Sequence, residues 1–258
     1  MDMDSLFDLT GKVAVVTGGG DGIGRGCCEI LAAAGASVVV SDLSREKAEE
    51  VARSINLAGG KAAAVECNVL RKEDLENVVA FAVKSFGTVN ILVNNAGIGG
   101  GGRENPYNID LAYVEKIYAI NVFAPWQLCK LVAPYMKESG YGSIVNITSM
   151  SSINNSPAMA IYGSSKAALN HLASNLAFDY GPMEIRINSV GPGATRTHAL
   201  STVLTPEIEE RMLAHTPIKR LGEVSDIAGA VLYFASPISA WVSGQVLMVN
   251  GGGVQTLD

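Results

Sequence analysis

Basic residues are sparse and scattered in this sequence. Nineteen Lys and Arg stand against twenty-five Asp and Glu, for a net charge of −6. No Lys/Arg run is present, which argues against a nucleic-acid partner or an acidic membrane surface. Long apolar runs are missing too: the longest, Ile30 to Val40, contains Gly35 and Ser37 and is too short to span a bilayer. Met1 to Leu9 carries three Asp and no basic residue, so no secretory signal is expected and a cytoplasmic location is. The four cysteines form no Cys-x-x-Cys pair and have apolar neighbours, and they read as buried thiols in a reducing compartment. His171, His198 and His215 lie far apart with no ligand spacing, so no metal site is expected.

What is present is a large apolar share, 48%, and 28 glycines in clusters without a period. Disorder and a collagen-like chain are thereby excluded. Short β-branched runs alternate with helical patterns from end to end. Strands are predicted at Val13–Thr17, Ser37–Asp42, Ala62–Asn68, Val89–Asn94, Ser143–Thr148, Ile185–Val190 and Gln245–Asn250. Most are continuous apolar runs, as strands buried on both faces require. Between them, Ile23, Cys27, Ile30, Leu31 and Ala34 fall on one helical stripe, and Leu75, Val78, Val79, Ala82 and Phe86 on another. The alternation predicts an α/β chain: a single-domain Rossmann fold over residues 1–258, with a seven-stranded, mostly parallel, doubly wound sheet and helices on both faces. Residues 191–222, with Pro192, Pro206 and Pro217, break the rhythm and read as a lid-like insertion.

Ligands of open α/β sheets bind outside the carboxyl ends of the strands. Polar and glycine residues crowd that edge here. Thr17-Gly18-Gly19-Gly20-Asp21-Gly22-Ile23-Gly24 opens a helix directly after the first strand, where glycines let backbone approach a pyrophosphate and the helix start offers free N–H groups. The spacing Gly18-x-x-x-Gly22-x-Gly24 departs from G-x-G-x-x-G. Asp42 ends the second strand, placed to bind both ribose hydroxyls of an adenosine and to repel a 2′-phosphate; Asp21 adds negative charge and Leu43 supplies no counter-charge. NAD is therefore expected rather than NADP.

Tyr162 and Lys166, four positions apart, share one helix face, on a helix predicted to begin near Pro157. Ser149 ends the fifth strand, and Asn121 lies in another helix just before Pro125. A phenol with a pKa near 10 needs a neighbouring ammonium to serve as a base near neutrality, and Lys166 is expected to lower it. Ser149 can bond the reacting oxygen, and Asn121 can hold a water linking Lys166 to solvent.

Thr17-Gly18-x-x-x-Gly22-x-Gly24, Asn94-Asn95-Ala96-Gly97, Asn121, Ser149, Tyr162-x-x-x-Lys166 and Asn188-x-Val190-x-Pro192-Gly193 together resemble the short-chain dehydrogenase/reductase family, from about Leu9 to Gly253. The resemblance implies a catalytic tetrad at Asn121, Ser149, Tyr162 and Lys166 and a homotetramer. It implies a dinucleotide held along Gly18, Asp21, Gly22, Ile23, Gly24, Asp42, Leu43, Asn68, Val69, Asn95, Ala96, Gly97, Tyr162, Lys166, Pro192, Gly193, Thr195 and Thr197. Asn68 is a departure, since the family usually has Asp beside the adenine.

Within the family the chain is most similar to the bacterial hydroxysteroid dehydrogenases that act at the 7α position of bile acids. The segments carrying this are Ala36 to Asp42, Asn146 to Met150, Met212 to Ile218, Trp241 to Gln245 and Gly251 to Gln255. That likeness implies a small-molecule substrate, a steroid, contacted by Ser149, Asn154 and Tyr162. Met150, Ile153, Met159, Leu200, Val203 and Leu204 are candidate apolar walls. Alternatives are a polyol dehydrogenase, a reductase of carrier-protein thioesters, and a dinucleotide-binding protein without turnover. The glycine run Gly99–Gly102 followed by only Arg103 gives a carrier protein little to dock on. Trp126, Leu128, Leu169 and Leu172 are expected to serve subunit contacts.

Overall fold

The structure, a computed structural model, describes residues 3–99, 104–155, 157–202 and 204–253. Val203, Gly100 to Arg103, Val254 and Gln255 lie outside the described residues. Among the described residues nine strands are seen: β1 (Val13–Thr17), β2 (Ser37–Asp42), β3 (Lys61–Glu66), β4 (Ile91–Asn94), β5 (Gly142–Ile147), β6 (Ile185–Pro192), β7 (Thr195–Arg196), β8 (Gly222–Glu223) and β9 (Val246–Val249). The helices are α1 (Met3–Phe7), α2 (Gly22–Ala33), α3 (Arg45–Leu57), α4 (Lys72–Phe86), α5 (Leu111–Tyr118), α6 (Ala124–Ser139), α7 (Ala160–Tyr180), α8 (His198–Ser201), α9 (Pro206–Leu213) and α10 (Val224–Ala235).

Seven strands form one sheet in the order β3-β2-β1-β4-β5-β6-β9, with every pair parallel. Consecutive side chains of each strand serve opposite layers. Ala14, Val16, Val38, Val40, Ile91 and Val93 pack with α2, α3 and α10. Their neighbours Val15, Val39 and Leu92 pack with α4 and α6. Both faces are covered, which is why these strands read as unbroken apolar runs. The chain reverses direction of winding between β1 and β4, and this switch point opens a crevice at their carboxyl ends.

Two features interrupt the regular alternation of strand and helix. β7 and β8 pair over two residues each, bracketing α8 and α9 as an excursion from the sheet. A single π turn, Ala119–Phe123, joins α5 to α6. Pro125 has no N–H to give the carbonyl four residues earlier, that of Asn121, so the α-helical register cannot run through this point. The helix with Tyr162 starts at Ala160 rather than at Pro157, because Ala158 has a left-handed φ of 57° that breaks the turn before it.

Candidate functional site

The glycine turn after β1 is held by its neighbour loop. Asn95, after β4, donates its side-chain amide to the Thr17 and Gly18 carbonyls at 3.0 and 2.9 Å, and its N–H goes to Thr17 Oγ1. Gly18 has φ +62°, and a Cβ on Gly24 would lie 1.9 Å from the Gly18 oxygen. Only glycine fits at 24. Gly24→Ala is expected to lower stability by about 3 kcal/mol and to abolish dinucleotide binding; a thermal melt and a binding titration check it, and an unchanged melt would refute the tight turn.

Asp42 stands at the carboxyl end of β2 with its carboxylate already aimed. Oδ2 accepts from Gly20 N at 3.0 Å and Oδ1 from Ser44 N at 2.9 Å. A Cβ on Gly20 would meet that carboxylate at 2.9 Å, so the backbone approaches it as closely as it can. Asp21 caps α2 and pairs with Lys47 Nζ at 2.9 Å. The negative charge expected beside Leu43, which is exposed, is thus partly met by a cation from α3. Sequence reading missed Lys47 because the pairing spans 26 residues and leaves no local pattern. Asn68 is half-buried and locked in a turn: its N–H goes to Asp74, and its Oδ1 accepts from Leu70.

A cleft of about 520 Å³ continues from the crevice. It brings together Ile23, Asn95, Gly97, Ser149, Tyr162 and Lys166 with Pro192, Gly193, Thr195 and Thr197. The remaining dinucleotide candidates, Gly18, Asp21, Gly22, Gly24, Asp42, Leu43, Asn68, Val69 and Ala96, do not line it. They lie in the turn after β1, at the ends of β2 and β3, and in the loop after β4. Thr197 sits beside Gly22, so the base of the excursion abuts the glycine turn.

Lys166 is buried and donates Nζ to the Ile147 carbonyl at 2.9 Å. Desolvation brings its pKa down to about 8. Its Nζ is 5.9 Å from the Tyr162 ring centroid. The Tyr162 phenol does not become more acidic here, as was expected of it. Burial raises its pKa, and a hydrogen bond with Ser149 offsets this in part. Ser149 also accepts from Ser151 N at 3.1 Å, which fixes its side chain against the strand end.

Asn121 is buried at the join of α5 and α6. Its amide is engaged: Nδ2 donates to Ile98 O and Ser165 Oγ, both at 3.0 Å, and Oδ1 accepts from Ile98 N at 3.0 Å. It pins the Ile98 backbone to α7. Asn154 is buried and donates to the Gly253 carbonyl at 3.1 Å; Gly253, and not Asn154, lines the cleft. Ile153 is exposed and, like Leu204, is not part of the wall. Met150, Met159, Leu200 and Met212 are, and Arg211 and His215 stand among them.

The residues fit a nicotinamide dinucleotide on three counts of geometry: a turn whose glycine has no room for a Cβ, a pre-bonded carboxylate at the end of the next strand, and a deeper cleft with a buried lysine and phenol. No group of His, Cys, Asp or Glu among the described residues could hold a metal ion.

A family model described as enoyl-(acyl carrier protein) reductase matches residues 18–253. The 7α-hydroxysteroid dehydrogenase of Escherichia coli strain K12 is 48% identical over 250 residues, 97% of either chain. Dehydrogenase/reductase SDR family member 4 of Pongo abelii is 36% identical over 251 residues, 95% of this chain and 88% of that one. Among solved structures, a 7α-hydroxysteroid dehydrogenase complexed with NADH and 7-oxo glycochenodeoxycholic acid matches with a TM-score of 0.94 and 47% identity over the whole of both chains.

Proposed function

The chain belongs to the short-chain dehydrogenase/reductase family, and from that membership we propose that it oxidises the 7α-hydroxyl of a bile acid with NAD and reduces the 7-ketone with NADH. The observation that carries the chemistry is the meeting of Tyr162, Ser149 and Lys166 in the cleft, beside the carboxyl end of β5. The apolar wall of Met150, Met159, Leu200 and Met212 supports a steroid, and Arg211 suits a substrate with an anionic tail.

When bound, the dinucleotide supplies the hydride acceptor or donor and, once oxidised, a positive ring charge. Tyr162 takes the hydroxyl proton in oxidation and returns it in reduction. Ser149 bonds the reacting oxygen and the phenol, fixing the line between them. Lys166 keeps a positive charge behind the phenol and holds Ile147 at the strand end. Asn121 positions the Ile98 backbone that borders the cleft. The excursion from Thr197 to Leu221 acts as a lid that excludes water, within one catalytic domain.

Asp42 binds the adenosine ribose. Asp42→Asn is expected to raise the KM for NAD about tenfold with kcat little changed, since a charge-assisted bond formed equally in ground and transition states is lost. With the carboxylate gone and Lys47 remaining, NADP gains relative to NAD. Initial rates with both cofactors check this; an unchanged NAD/NADP ratio would remove Asp42 from the site.

The protein assembles as a homotetramer. Leu128 and Leu169, expected at subunit contacts, pack inside instead at 1% and 2% exposure. Outward-facing apolar groups are Phe123 and Trp126 near the start of α6, Phe178 on α7, and Trp241, Val246 and Leu247 at the open β9 edge. Two such faces serve a tetramer with two kinds of isologous contact. A cytoplasmic location agrees with four free, buried cysteines. No described helix is long and apolar enough to cross a membrane.

The assay incubates pure protein with NAD and bile acids bearing 3α-, 7α-, 7β- or 12α-hydroxyls, with polyols and 3-hydroxyacyl thioesters alongside, and follows nicotinamide reduction. Turnover confined to the 7α series is expected. Turnover on polyols or thioesters alone would overturn the steroid reading.

A further inference from the structure

The helix that carries Tyr162 begins without help from its own sequence. Met159, at its cap, makes no side-chain cap bond. The first N–H groups of a helix have no partner within it and must find one elsewhere. Here the partner comes from 58 residues away. Glu104 Oε2 accepts from Ile161 N at 2.7 Å, and Glu104 Oε1 accepts from Tyr162 N at 3.0 Å. The carboxylate is buried, at 8% exposure, and Oε1 also accepts from the Tyr113 hydroxyl at 3.2 Å. Glu104 N donates to the Ala158 carbonyl at 3.0 Å, where the left-handed Ala158 turns the chain into the helix. One residue therefore holds both the strained entry to the helix and its first turn.

We propose that Glu104 is a positioning residue for the reaction: its carboxylate caps the first turn of α7 at the backbone of Tyr162, fixes the phenol in the cleft, and holds back its ionisation. The inference rests on the reading of Tyr162 as the proton-transferring group. Its physical basis has two parts. A bidentate, charge-assisted cap on consecutive N–H groups leaves the backbone of Tyr162 little freedom. A negative charge at this helix end also offsets the positive end of the macrodipole, which would otherwise favour phenolate. Removing the charge makes the phenol easier to ionise, even as it loosens the helix start.

The other titratable groups that line the cleft with Tyr162 are Lys166 from its own helix and Arg211 and His215 from the excursion; Ser149 from the loop after β5 hydrogen-bonds the phenol, and Tyr113 of α5 bonds Glu104. Glu104→Gln leaves all of these in place. The pH dependence of kcat for alcohol oxidation separates positioning and charge from a purely structural cap. Glu104→Gln, which keeps one acceptor, is expected to retain more of kcat than Glu104→Ala, with losses of about threefold and tenfold. Both variants are expected to shift the acidic limb of the profile to lower pH by about half a unit or more, with the KM for NAD within twofold of the parent.

An acidic limb that stays in place in Glu104→Gln, or kcat values equal to the parent in both variants, would overturn the proposal. If Glu104→Ala does not fold, Glu104→Gln decides alone. Tyr162→Phe is run in parallel: turnover surviving in it would sink the reading beneath, whereas a dead Tyr162→Phe beside unaltered Glu104 variants would sink only this inference.

Discussion

Tyr162→Phe is expected to lower kcat about a thousandfold or more while dinucleotide affinity stays within a few fold. The substitution removes one oxygen. It keeps the ring, which is packed against Gly99, where a Cβ would come within 2.8 Å of Tyr162 Cδ2. It leaves the backbone N–H that Glu104 caps and the Lys166 contact with Ile147 untouched. The proton path is cut, together with the phenol's hydrogen bond to Ser149. Stopped-flow turnover and a fluorescence titration with NADH measure the two halves separately. Loss of both together would mean that the variant had collapsed, and loss of neither would mean that some other group moves the proton.

The second large effect couples stability to function. Lys166 has a pKa of about 8 in the folded chain, against roughly 10.4 when exposed to water. At pH 7 the ammonium is charged in both states, and its burial costs about 3 kcal/mol of folding stability. As pH rises from 8 toward 10.4 the folded form has shed the proton while the unfolded form still holds it, so stability climbs across that window. Lys166→Met removes both the cost and the slope. The Ile147 carbonyl then loses its donor, which takes back about 1 kcal/mol. The variant is expected to melt about 3 to 6 °C higher at pH 7, with turnover lost. A melt lower than the parent's at pH 7, or an unchanged slope between pH 8 and 10, would show that the lysine is not held charged in a dry site. Destabilisation of this kind at a working residue is a common cost of activity.

Much of this was legible in the sequence, and the reasons differ by element. β1, β2 and β4 to β6 are covered on both faces, so their apolar runs stand out from flanking glycines and carboxylates. β7 and β8 are two residues each and rest on a long-range pairing, so no periodicity announces them. Tyr162 and Lys166 could be placed together because helical spacing is local. Glu104 and Lys47 could not, since each meets its partner across 58 and 26 residues. The acidity expected of Tyr162 failed for a physical reason: a neighbouring lysine suggests a low pKa, but burial is a property of the fold, and here desolvation outweighs the hydrogen bond with Ser149. Leu128 and Leu169 failed likewise, because an apolar helix face does not say which neighbour covers it.

The most direct test of the account is a crystal structure of the protein with NADH and a 7-oxo bile acid. The account predicts the ketone oxygen within hydrogen-bond distance, about 3 Å, of both Tyr162 Oη and Ser149 Oγ, with the dinucleotide pyrophosphate against the Gly18–Gly24 turn. A ketone oxygen bonded to neither hydroxyl, or a dinucleotide seated away from that turn, would contradict it.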